Sequence, residues 1–229
     1  MKRRRLVAVA AFAMVALVVL ALAVAHRSEP LRLDQTVDDF FFFKAHTSPR
    51  LWASRLARVG SVEVVTALSF IAADIALLRR QSIALAAWCV ATPAIAGGLG
   101  VIGKRVVGRT TRTGITAGTG IAHLVHPPYT FPSGHTVGAA AVGAVAVGLV
   151  CALGWSRRAV VIAAVVAGLV ATGVGWATIA TNQHTFTDVV GGLLLGLAVG
   201  CLAAVLRPGA RRTDESNDPL SYRHLSHHT

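Results

Sequence analysis

Pro132-Ser133-Gly134-His135 is followed by His184, 49 residues beyond His135, with Asp188 four residues further on. Two histidines and a carboxylate suit phosphoryl transfer, which needs a nucleophile, a proton donor for the leaving group and a group that fixes the nucleophile's tautomer. If a helix begins near Thr187, Asp188 lies close enough to hydrogen-bond one ring nitrogen of His184 and leave the other free to attack phosphorus. Pro-Ser-Gly opens an apolar run. A helix starting there would turn the backbone N–H groups of Ser133 and Gly134 toward an anion, and Gly134 would permit close approach. The plainer alternatives are an N-cap serine beside a solvent-facing His135, and a capping Asp188 beside an incidental His184.

The elements that must position these residues are membrane helices. Hydrophobic residues make up 54% of the 229-residue chain and charged residues 14%, which excludes an ordinary soluble globule. The formal charge of +12 would suggest nucleic acid in a soluble domain, but the basic residues cluster at the ends of apolar runs, so membrane anchoring accounts for them and nucleic acid is not an expected partner. A hydrocarbon core needs about 20 apolar residues per helix. That ruler places spans at 6–25, 60–78, 83–103, 135–154, 159–176 and 188–206. The fold class expected is therefore all-α, a polytopic membrane helical bundle with about six transmembrane helices. Residues 1–26 form an N-terminal anchor or a signal peptide, 27–206 the membrane domain, and 207–229 a polar, disordered tail.

Charge sets the orientation. Lys2 to Arg5, Arg79-Arg80, Arg157-Arg158 and Arg207, Arg211, Arg212 fall at alternate ends of the spans, as required if all four groups are cytoplasmic. Both termini would then be inside, and the loops 26–59, 104–134 and 177–187 outside with the candidate site. One basic group breaks the pattern: Lys104, Arg105, Arg109 and Arg112 lie in an outer loop. Interface anchoring accounts for one such residue, whereas four in nine positions point to an anionic ligand.

Between the first two spans, Leu31, Leu33, Val37 and Phe40 to Phe43 mix with Asp34, Asp38, Asp39 and Lys44, the pattern of an interfacial segment serving as a lid or a lipid-access rim. Glu63 and Asp74 sit near the ends of the second span, as exposed or snorkelling carboxylates. Gly192, Gly196 and Gly200 form a small-xxx-small face for close helix packing within the chain. Cys89, Cys151 and Cys201 fall inside apolar runs without metal-ligand spacing, and neither a metal nor a cofactor is signalled.

Together these segments resemble the type 2 phosphatidic acid phosphatase superfamily, which includes bacterial lipid phosphate phosphatases and relatives of vanadium haloperoxidases. The resemblance covers about residues 33–206. The family's second motif, Pro-Ser-Gly-His, is intact at 132–135. Its third, Ser-Arg, five residues, His, three residues, Asp, keeps His184 and Asp188 but has Ala177 and Thr178 at Ser-Arg. Its first, Lys, six residues, Arg-Pro, keeps Lys104 but has Thr111 and Arg112 at Arg-Pro. The resemblance implies His184 as nucleophile, His135 as general acid and Asp188 as its orienting carboxylate. Lys104, Arg109, Arg112, Ser133 and Gly134 would hold the substrate phosphate. Two guanidiniums are missing at their registered positions, each worth roughly 1.5–3 kcal/mol as a charge-assisted contact.

Two functional classes follow. One is a phosphatase hydrolysing a lipid phosphate or diphosphate monoester on the extracytoplasmic side of a bacterial-type cell membrane through a phosphohistidine, with membrane lipids around it. The other is a catalytically weakened member acting as a lipid- or anion-binding scaffold. A small-solute transporter fits poorly, because paired broken repeats and central membrane charges are absent.

Overall fold

The computed structural model describes residues 3–43, 47–79, 81–110 and 128–208. Among these the chain is helical throughout: α1 Arg3–Val24, α2 Arg32–Phe41, α3 Ser48–Ala57, a 3-10 turn Arg58–Gly60, α4 Val62–Leu78, α5 Ile83–Val107, α6 Gly134–Ala152, α7 Arg157–Ala180 and α8 Phe186–Leu206. Five of these helices are long and apolar enough to cross a membrane, and α3 with its 3-10 turn meets α4 at a 50° bend to make the sixth candidate. Large apolar side chains such as Phe12, Leu22, Ile83 and Leu169 stand outward, where lipid rather than water is their solvent. The protein is an integral membrane helical bundle.

Small residues set how closely the helices approach. A Cβ on Gly196 would stand 2.4 Å from the Ala140 Cβ, one on Gly200 2.8 Å from the Ala144 Cβ, and one on Gly192 2.8 Å from the Ser133 carbonyl oxygen. The glycine face of α8 thus packs on α6 within the chain, as the small-xxx-small spacing predicts. Gly60 lies against the His135 carbonyl, so the 3-10 turn before α4 presses on the first turn of α6. Both contacts fix the end of α6 that carries Ser133-Gly134-His135. The three cysteines are free thiols in the helices, and Glu63 and Asp74 are exposed on α4.

Two helix ends run four residues past the hydropathy ruler, and both matter to the site. Helix α5 continues past 103 to Val107, where Gly108 adopts φ +62 in a left-handed C-cap, so Lys104 is a helical residue. Helix α7 continues past 176 to Ala180, which places Thr178 inside it.

The segment between α1 and α4 folds against one end of the bundle. His26 N–H donates to the Val107 carbonyl and Thr110 N–H to the Arg27 carbonyl, at 2.9 and 3.2 Å, stitching the chain before α2 to the end of α5. Helix α2 is amphipathic in the opposite sense to a surface helix. Leu33 and Phe40 are 55% and 81% exposed, whereas Asp34 and Asp38 are buried toward the bundle. The interfacial character expected of this segment is present in its apolar face and in exposed Asp39, but Asp34 and Asp38 do not face water. Lys44, Arg80, Arg112 and the tail after residue 208 lie outside the described residues.

Candidate functional site

Three separate segments converge at this end. Ser133 caps α6, its hydroxyl accepting from Thr136 N–H at 3.5 Å and from the Thr136 hydroxyl at 3.0 Å. His135 follows in the first turn, half-buried. His184 sits in the turn between α7 and α8, held by its own N–H donating to the Thr178 carbonyl at 3.3 Å. The imidazoles of His135 and His184 face each other with ring centroids 6.2 Å apart and planes at 66°.

Asp188 closes the back of His184. It is wholly buried in the first turn of α8, and its Oδ2 accepts from Thr185 N–H at 3.1 Å in a capping box. The same Oδ2 lies 3.6 Å from His184 Nδ1. That is longer than a hydrogen bond, and Nδ1 has no other partner. Hydrogen bonds of this kind commonly tighten only when substrate is bound. Burial pushes the His184 imidazole below its ordinary value of 6.5, with the Lys104 charge acting in the same direction and Asp188 opposing both. Burial therefore favours the neutral ring, with Nδ1 toward Asp188 and the imidazole also hydrogen-bonded to the Thr130 carbonyl.

Lys104 comes from α5. Its ammonium donates to the Tyr129 carbonyl at 2.7 Å and the Thr130 carbonyl at 3.3 Å, bracing the strand of chain before Pro132. Among the described residues its third N–H has no acceptor. Its Cε lies 3.9 Å from where a Gly134 Cβ would stand, so the cation borders the exposed glycine at the mouth of α6.

Two of the expected phosphate ligands take other roles. Ser133 N–H donates to the Asp188 carbonyl at 2.9 Å, so it is spent on joining α6 to α8, and the N–H groups left at the open end are those further into the first turn. Arg109 is fully buried. Its Nη1 donates to Asp188 Oδ1 at 2.8 Å, Thr187 Oγ1 at 2.6 Å and Thr185 Oγ1 at 3.1 Å, and its Nη2 to Asp34 Oδ2 at 2.6 Å. It stands behind Asp188 and is not presented to a ligand. Arg112 lies outside the described residues.

Thr178, in the position of the family arginine, turns its hydroxyl back to the Gly175 carbonyl at 2.7 Å. The turn after α7 is braced by Arg50 of α3, whose Nη1 and Nη2 donate to the Phe43 and Thr181 carbonyls, each at 2.9 Å. Neither Asp34 nor Arg50 stood out in the sequence. Asp34 carried one signal, a carboxylate spaced to be N3 of a short helix, but nothing local distinguishes a cap facing water from one facing a buried guanidinium.

A family model described as the PAP2 superfamily matches residues 84–212. Comparison with curated proteins finds no match. Among solved structures, the chain is similar to the first transmembrane PAP2-type phosphatidylglycerolphosphate phosphatase from Bacillus subtilis, with a TM-score of 0.72 and 20% identity over 85% of this chain and 93% of that one. At that identity the likeness establishes the shared fold, while the family match spans more than half of the chain and includes His135, His184, Asp188 and Lys104. This chain belongs to the PAP2 superfamily.

Proposed function

We propose that the protein is a membrane phosphatase that hydrolyses a lipid phosphate or diphosphate monoester through a phosphohistidine. The observation that carries this is the opposed pair His135 and His184, 6.2 Å apart, with Asp188 behind one of them, at one end of a membrane bundle. His184 Nε2 attacks phosphorus, the bond to the leaving oxygen breaks, and His135 gives that oxygen a proton. His135 then takes a proton from a water molecule that attacks phosphorus, the phosphorus–nitrogen bond breaks, and phosphate leaves with His184 regenerated. Lys104 and the backbone N–H groups at the start of α6 would face the phosphoryl oxygens. The apolar half of the substrate would lie against the outward side chains of the helices. The charge pattern of the loops supports an extracytoplasmic site with cytoplasmic termini.

Phosphate release by the purified protein in detergent from phosphatidic acid, phosphatidylglycerol phosphate and an isoprenoid diphosphate tests the activity. Turnover of at least one lipid, abolished by His184→Ala, is expected. No release from any of them, with lipid binding retained, would favour a scaffold that keeps the fold. Buried Arg109 and inward-turned Thr178 are the observations on that side, since they leave Lys104 as the cation the described residues offer to phosphate.

A further inference from the structure

Asp34 lies between two helix starts. Its Oδ2 accepts from Leu31 N–H at 3.1 Å, capping α2, and its Oδ1 from Thr187 N–H at 2.8 Å, at the start of α8. The Thr187 hydroxyl and Arg109 Nη2 reach Oδ2 at 3.0 and 2.6 Å. Arg109 in turn grips Asp188 Oδ1. Asp34, Arg109 and Asp188 are all fully buried, so the three charges have no water to screen them, and they are held by one another, by the Thr185 and Thr187 hydroxyls and by backbone N–H groups.

A guanidinium paired with Asp188 alone would draw that carboxylate's charge away from His184. A second carboxylate on the far side of the guanidinium offsets this, because Arg109 then divides its charge between two anions. The three also fix Asp188 in place, with Oδ1 held by Arg109 and Oδ2 turned toward Thr185 N–H and His184 Nδ1.

We propose that Asp34 and Arg109 are positioning residues for the phosphoryl-transfer reaction, a buried relay by which α2 orients Asp188 and sets how strongly it holds the Nδ1 proton of His184. The inference rests on the phosphohistidine reading given above. It assigns α2 a part in the chemistry and not only in covering the bundle.

The charged or titratable groups around His184 are Asp188 with Arg109 and Asp34 behind it, Lys104 from α5 and His135 from α6. Removing the negative charge of Asp34 should therefore lower the His184 titration midpoint, and removing the positive charge of Arg109 should raise it, each by roughly half a pH unit. The test is 15N-histidine NMR of the full-length protein in detergent, with His184 assigned by loss of its signal in His184→Gln, alongside steady-state kinetics. Asp34→Asn should move the midpoint down and cut kcat about tenfold with KM changed less than about twofold. Arg109→Gln should move it up, and the double variant should return it toward the wild type.

Loss of thermal stability with kcat and the His184 titration unchanged would reduce the pair to a structural role and overturn the proposal. Should Arg109→Gln not fold, Asp34→Asn and the double variant decide by the same criteria. The titration needs no turnover, so shifts in the expected directions without phosphatase activity would sink the phosphatase reading and leave the relay standing. Turnover without shifts would sink the relay alone.

Discussion

His184 can attack phosphorus only as a neutral imidazole, and its burial keeps it neutral below its ordinary value of 6.5. The ascending acid limb of kcat/KM should accordingly lie below pH 6.5, because the nucleophile becomes protonated, and inactive, only as pH falls through its lowered midpoint. Asp188→Asn removes the group that opposes this shift. The limb should move to still lower pH while the rate drops roughly a hundredfold. A pH–rate profile of both proteins on one lipid substrate checks the two effects together. The motifs of the family it resembles single out His135, His184, Asp188 and Lys104 as candidates, and the fold brings all four to one end of the bundle. Arg109 was legible only as a cation on the wrong side of the membrane, since its partners Asp34 and Asp188 lie 75 and 79 residues away in sequence.

At the scale of elements, the site depends on α6 and α8 meeting without side chains between them. A methyl group at 192 would press on the Ser133 carbonyl oxygen and the Thr136 Cβ, both at 2.8 Å, and wedge the His135 turn from the Asp188 turn. Gly192→Ala should destabilise the protein by about 1–3 kcal/mol and lower kcat as well. Gly97→Ala is the matched control, because a Cβ there meets open space and should leave both unchanged. Thermal unfolding in detergent and kinetics on the two variants separate the cases. The glycine spacing announced this packing because a small-xxx-small face has few other uses. Helix α2 was less legible: its mix of phenylalanines and aspartates reads as an interfacial helix with its carboxylates in water. Here lipid takes the apolar face, and a buried guanidinium takes Asp34.

For the molecule as a whole, hydropathy and arginine placement were enough to give the bundle, because a bilayer demands helices of fixed length and biases which ends carry charge. They gave no account of α3 and its bend into α4, which follows from tertiary contact at the α6 start. The orientation has its own check. Thr110, exposed beside the site end of α5, and Trp155, 56% exposed at the opposite end between α6 and α7, mark the two faces. Cysteine at 110 should react with an impermeant maleimide in intact cells and cysteine at 155 should not, with the unsubstituted protein as the background control. The opposite pattern would put the chemistry in the cytoplasm.

The covalent step tests the account most directly. Brief reaction with a 32P-labelled lipid phosphate, quenched under denaturing alkaline conditions, should leave an acid-labile, base-stable phosphate on the peptide that contains His184, and none on the His184→Ala protein. Label on Ser133, or sustained turnover by His184→Ala, would contradict the assignment of His184 as the nucleophile and with it the role given to Asp188 and everything behind it.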